Sequence, residues 1–273
     1  MPISPTRAAA LASLVLVASA VVLLVSRRIP QDPGYHGLAD RRTLLGIPNA
    51  LDVHSNLPFA VVGVLGLAVV RGGRGDGAAL FADPWERRPA MALFLGTLLT
   101  AFGSAWYHLA PSNARLVWDR LPMAMAFMAL LTSLVAERLS LEWARRSFVP
   151  ALVFGVASVA YWRVTESLGA GDLRPYALVQ YGSLLGIVLL ALLRPPSPAA
   201  VAADTSWLAA ALACYALAKL LERLDHQVFA LGGVVSGHTL KHLVAAAGVA
   251  CLAGRLAARA RARPRLGARA PAG

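Results

Sequence analysis

Residues 234–256 read VVSGHTLKHLVAAAGVACLAGRL. A run of this length is enough to cross a bilayer as one helix, since a crossing takes roughly 20 predominantly apolar residues. Its first half nevertheless carries His238, Lys241 and His242. Residues four apart share one face of a helix, so the two histidines project together. Ionisable groups inside lipid are costly and are functional by default. The stretch reads as a transmembrane helix that presents a polar pair to the interior of a bundle.

A second apolar stretch repeats the arrangement. In Gly103-Ser104-Ala105-Trp106-Tyr107-His108 the serine and the histidine again stand four apart, and Asp119 opens the helix that follows. Pooled in one interior, the two pairs and Asp119 give three imidazoles, a hydroxyl and a carboxylate. Three histidines with an open fourth position form the ligand set of a catalytic zinc.

The composition agrees with a membrane bundle. The 273 residues are 58% hydrophobic and only 15% charged, with mean hydropathy +0.60, whereas a soluble domain carries charge on about a quarter of its residues. Continuous apolar runs exclude the alternating pattern of a membrane barrel. Eight spans are expected: Arg7–Val25, Asn49–Val70, Ala90–Leu109, Arg115–Ala136, Phe148–Thr165, Arg174–Leu193, Ser206–Leu221 and Val234–Leu256. Ala18-Ser19-Ala20 has the small-residue form of a signal-peptide cleavage site, but the apolar run continues past it to Val25, which favours a retained helix. The predicted fold is all-α, a polytopic transmembrane bundle: one N-terminal transmembrane helix within 1–34, seven spans over residues 35–256, and a basic tail, 257–273, expected to lack fixed structure.

The net charge of +12 does not point to nucleic acid, because the arginines sit in connections and in the stretch from Arg255 to Arg269. That distribution fits a flank facing anionic lipid. With eight spans, Arg71, Arg74, Arg138, Arg145, Arg146, Arg194 and the C-terminal arginines share one side, and the positive-inside rule makes it the cytoplasm. Both termini are then cytoplasmic, in an inner or plasma membrane. Ser104, His108, Asp119, His238 and His242 fall at a similar depth in the outer half. Cys214 and Cys251 lie inside apolar spans and read as packing residues.

The chemistry such a set permits is metal-assisted hydrolysis. Zinc on three neutral imidazoles lowers the pKa of a bound water to about 7. Asp119 can accept the proton and deliver it to a leaving group, and Ser104 can donate to the developing oxyanion. A substrate entering from lipid would be an amphiphile with an acyl linkage. Each residue also has an ordinary reading: Ser104 bonding its own i−4 carbonyl, the histidines as glue between helices, Asp119 and Arg120 as a charge pair at a helix start. A haem or proton-relay role also fits paired histidines. His36, His54 and His226 read as interfacial, Lys219, Glu222, Arg223 and Asp225 as an ion-pair rim, and Gln180, Arg163 and Glu166 as possible cavity-lining residues.

Across these motifs the chain resembles the alkaline ceramidases. The carrying elements are Gly103 to His108, Asp119-Arg120-Leu121-Pro122-Met123, Gly237-His238-Thr239-Leu240-Lys241-His242, and Asn49-Ala50-Leu51-Asp52-Val53-His54-Ser55-Asn56. The wider superfamily includes the adiponectin-receptor/haemolysin-III group and lipid remodelers of glycosylphosphatidylinositol anchors. The resemblance covers about Tyr35 to Leu256. It implies a seven-helix core, zinc on His108, His238 and His242, and hydrolysis of the amide of ceramide or a related N-acyl lipid, assisted by Ser104 and Asp119. The alternative within the superfamily is a receptor-like or haemolysin-III-like protein with structural zinc. Eukaryotic alkaline ceramidases also hold calcium ahead of the first core helix; here Asn49 stands where a glutamate is expected and only Asp40 and Asp52 could contribute, so zinc is the expected cofactor and calcium a weaker second expectation. The Ala, Arg, Leu and Gly usage resembles a prokaryotic source, in which an N-acyl lipid other than ceramide is a candidate substrate.

Overall fold

The structure, a computed structural model, describes residues 21, 23, 25–72, 80–192 and 201–262. Apart from positions 21, 23 and 25, the expected span Arg7–Val25 lies outside them. The described residues are helical with no strand. We label the helices α1 (Ala50–Gly72, interrupted at Ser55 and Asn56), α2 (Arg87–Leu109), α3 (Asn113–Arg138), α4 (Leu141–Ser167), α5 (Arg174–Leu192), α6 (Val201–Arg223), the short α7 (Asp225–Ala230) and α8 (Gly237–Ala262). Six of them, α1 to α5 and α8, are long and apolar enough to cross a membrane. Their outer faces expose large apolar side chains such as Val61, Phe102, Val153 and Leu185, as a lipid-facing surface requires. The protein is thus a helical membrane bundle.

Helix ends extend beyond the apolar runs because polar residues cap them. Ser112 accepts from the Arg115 amide at the start of α3, Ser140 from Trp143 at the start of α4, and Ser236 from Thr239 ahead of α8. Such caps satisfy backbone donors that a helix start leaves free. At its far end α8 runs to Ala262, past the expected limit at Leu256. Arg255 and Arg259 are not a solvated flank there: both clasp Glu137 at the end of α3, with closest contacts of 2.5 and 2.9 Å.

The helices α3, α2, α1, α8, α6 and α5 form a ring in that order, α5 returning to α3, while α4 packs outside on α3. The closest seam is between α2 and α3. Pro122 has no N–H to give to the Trp118 carbonyl one turn back. Gly103 of α2 packs directly on that freed carbonyl, so closely that a Cβ there would lie 2.0 Å from the oxygen. The next residue on each helix is a site residue, Ser104 and Asp119. Gly237 plays a similar part at the start of α8, where a Cβ would meet the Leu221 carbonyl at 2.3 Å.

Gly103→Ala is therefore expected to lower the thermal unfolding midpoint in detergent, at a cost of about 1–3 kcal/mol or more as α2 and α3 are forced apart. Gly182→Ala, which meets nothing within 4 Å, should change stability by less than about 1 kcal/mol. The connection before α5 offers a pH test. Arg174 grips Asp172 at 2.7 Å and donates to the Leu23 and Ser26 carbonyls. The hydrogen-bonded guanidinium holds the Asp172 carboxyl down at about 2, against an ordinary 3.8. A depressed carboxyl stabilises the fold above its unfolded pKa, and that contribution is lost as pH falls through the folded value. Wild type should lose thermal stability between about pH 4 and pH 2 more steeply than Asp172→Asn.

Candidate metal centre

His108 comes from the last turn of α2, and His238 and His242 from the first turns of α8. All three are buried, and one ring nitrogen of each lies within 4.8 Å of the others. The Nε2 atoms of His108 and His238 are 3.3 Å apart. The rings meet edge to face, with centroids 4.8 to 4.9 Å apart. Such a group can hold a metal ion.

The surroundings fix which nitrogens face inward. The Ser55 hydroxyl donates to the Asp52 carbonyl at 3.0 Å and lies 2.7 Å from His242 Nδ1. A hydroxyl has one hydrogen, so it accepts from His242 Nδ1–H, and Nε2 keeps the lone pair. This is the outer-shell arrangement that orients a metal-binding histidine. Lys241 lies 3.2 Å from His238 Nε2 and donates to its lone pair, a place that a metal ion on this nitrogen would take over. Lys241 is held in turn by Glu222 at 2.8 Å, and Glu222 also pairs with Lys219.

Three further contacts set the frame. Asp225 accepts from the His238 amide at 2.7 Å and from the Ala39 amide at 2.9 Å, so one buried carboxylate caps α8 and ties down the chain ahead of α1. Asp52 accepts from Thr239 Oγ1 at 2.6 Å. Asn49, left-handed at φ 47°, donates to the His108 carbonyl at 2.8 Å; asparagine is among the few residues that adopt this conformation readily. Outside the membrane, Arg42 binds Asp40 at 2.7 Å and holds its carboxyl below the usual carboxylate range.

Ser104 and Asp119 stand together beside the cluster. The hydroxyls of Thr97 and Thr100 bond back to the carbonyls four residues earlier, whereas Ser104 sits near the Asp119 carboxyl. Ser104, Asp119, Lys241 and His242 line a cavity of about 510 Å³. Farther along the helices from them the lining forms an apolar lobe of Leu93, Leu130, Ile187, Leu208 and Leu252, and Gln31, Tyr35 and Arg120 also line the cavity.

The remaining polar residues separate clearly. His36 bonds Tyr107 Oη and Asn113 Oδ1 at 2.9 Å each, His54 donates to the Ala50 carbonyl, and His226 to the Gly37 carbonyl. None of these histidines joins the cluster. Gln180 lines the cavity, whereas Arg163 and Glu166 do not. Cys214 and Cys251 are both free, and Cys214 packs α6 against Gly248 of α8. Four contributors were not anticipated from the sequence: Ser55, Lys241 and Asp225 as supports, and Arg120 as a cavity residue. No family model matches this chain, and no curated protein is significantly similar to it.

Removing the Ser55 support is expected to weaken metal binding without unfolding the bundle. Ser55→Ala should lower affinity about 10- to 100-fold, read by competition with a chelator, while the thermal midpoint of the metal-free protein stays close to wild type.

Proposed function

We propose that this protein is an integral-membrane zinc-dependent amidase that cleaves the N-acyl bond of ceramide or a related N-acyl lipid. The observation that carries the reading is the position of the three-histidine cluster. Its member His242 lines, with Ser104 and Asp119, a cavity whose lining is otherwise largely apolar. Such a cavity accepts an acyl chain in the lobe and presents its linkage to the polar residues. Zinc suits the donor set: two nitrogens each about 2.05 Å from a tetrahedral zinc stand about 3.3 Å apart, and His108 Nε2 and His238 Nε2 are 3.3 Å apart. The resemblance of the histidine, serine and aspartate motifs to alkaline ceramidases supports the choice of an amide. It also supports a seven-helix core in which α6 crosses the membrane as well.

When bound, zinc supplies Lewis-acid activation of water and of the acyl carbonyl. Asp119 accepts a proton from the attacking water and returns it to the leaving nitrogen. The water oxygen ends on the acyl carbon as the fatty acid, and the C–N bond breaks to release the amine. Ser104 aims the Asp119 carboxylate in the resting state. Once Asp119 is protonated it no longer needs the serine hydrogen, which is then free to point at the negative acyl oxygen. Lys241, clamped by Glu222, adds fixed positive charge beside His238 and favours the same oxyanion.

The arginines at the Glu137 end, with Arg138, Arg145 and Arg146, support a cytoplasmic position for that end. The active site then lies in the outer half of an inner or plasma membrane, with both termini inside. Purified protein is expected to contain about one zinc per chain and to release fatty acid from N-acyl lipids. Asp119→Asn should lower the rate about 10²- to 10⁴-fold, and His108→Ala should abolish both zinc retention and turnover. Activity that persists in both variants would sink the proposal.

A further inference from the structure

Arg120 follows Asp119 in α3 but faces a different direction. Its side chain is only 5% exposed and lies against three aromatic rings, with its guanidinium carbon 5.5 Å from the centre of Tyr35, 4.3 Å from Trp162 and 5.0 Å from Tyr176. One terminal nitrogen donates to Gln31 Oε1 at 2.8 Å. The other, Nη1, is buried with no hydrogen-bond partner. Arg120 also forms no ion pair among the described residues. A buried charge without a counter-ion and a buried donor without an acceptor are both costly. Yet Arg120 and Gln31 line the cavity, on the side of Asp119 away from the apolar lobe. A ligand on that side meets the guanidinium's charge, and a small displacement of the side chain brings the closed-off Nη1 into reach.

We propose that Arg120 recognises the headgroup, and that the substrate carries an oxyanion, a carboxylate or a phosphate, on the amine half of its N-acyl bond. This rests on the amidase reading above. An acyl chain in the lobe and its linkage at Asp119 leave the amine half pointing at Arg120. An oxyanion there adds a counter-charge within reach of the guanidinium and, once the side chain shifts to expose Nη1, an acceptor for it, in the paired geometry a guanidinium favours. Asp32 also lines this mouth, with Oδ1 taken by the Gly34 amide. A neutral headgroup such as that of ceramide would leave Arg120 with its aromatic rings and Gln31 but no ion-pair partner within the site.

The test compares two probes with the same acyl chain and amide: N-oleoylglycine, which ends in a carboxylate, and N-oleoylethanolamine, which ends in a hydroxyl. Purified full-length protein with its metal is assayed for equilibrium binding of each radiolabelled probe and, separately, for oleate release. Wild type is expected to bind the carboxylate probe about tenfold or more tightly, the scale of one charge-assisted hydrogen bond. Arg120→Gln should erase the preference, and Arg120→Lys should keep part of it. Equal binding by wild type overturns the proposal. A preference that survives in Arg120→Gln also overturns it, since the carboxylate is then recognised elsewhere, for instance by the metal. If Arg120→Gln fails to fold, the wild-type ratio and Arg120→Lys still decide. Failure to release oleate from either probe counts against the amidase reading alone, because the binding ratio is read independently of turnover.

Discussion

At the seam between α2 and α3, one helix rests on a bare carbonyl of the other. Pro122 removes the donor that would have satisfied the Trp118 oxygen, and Gly103 lets the α2 backbone settle against it. Two backbones can approach this closely only where one has no side chain and the other has a free acceptor. Ser104 and Asp119 are brought near one another because the residues just before them, Gly103 and Trp118, are already in contact. The same approach fixes the last turn of α2, from which His108 meets the two histidines of α8. A side chain at position 103 would separate the carboxylate from the cluster before it disturbed any ligand.

The second half of the site depends on Asp225. Its carboxylate caps α8 through the His238 amide and holds Ala39 with its other oxygen. The start of the metal-binding helix and the chain leading into α1 are therefore set by one group. Ser55, at the break in α1, then orients His242. Three separate helices thus meet at the cluster through contacts that each fix one ring or one helix end.

Much of the bundle was legible in the sequence, because lipid leaves few options and long apolar runs declare them. Helix ends were less so: Ser112 and Ser140 start helices several residues ahead of the apolar face, and α8 continues to Ala262 because Glu137 neutralises Arg255 and Arg259. The histidine pairs were legible because i and i+4 share a helix face. Ser55, Asp225 and Lys241 were not, since their roles arise from approaches between segments far apart in the chain. The ordinary reading of Asp119 and Arg120 as a charge pair rested on their adjacency in sequence, and the two groups form no close ion pair. Consecutive helix residues do not face one another, and Arg120 turns instead toward the aromatic rings and Gln31. That consequence of helical geometry was available from the start.

His108 and His238 are separated by 130 positions, and four long helices lie between them. A chain inserted from its N-terminus has a single imidazole of the cluster in place until α8 arrives. One imidazole holds a metal weakly, whereas three converging ones hold it firmly. Metal retention is therefore a property of the completed bundle: a chain that stops short of α8, or leaves it misplaced, keeps no tight site. Binding to the assembled form alone also stabilises that form by mass action, so an ion held by the cluster would lock the final step of assembly.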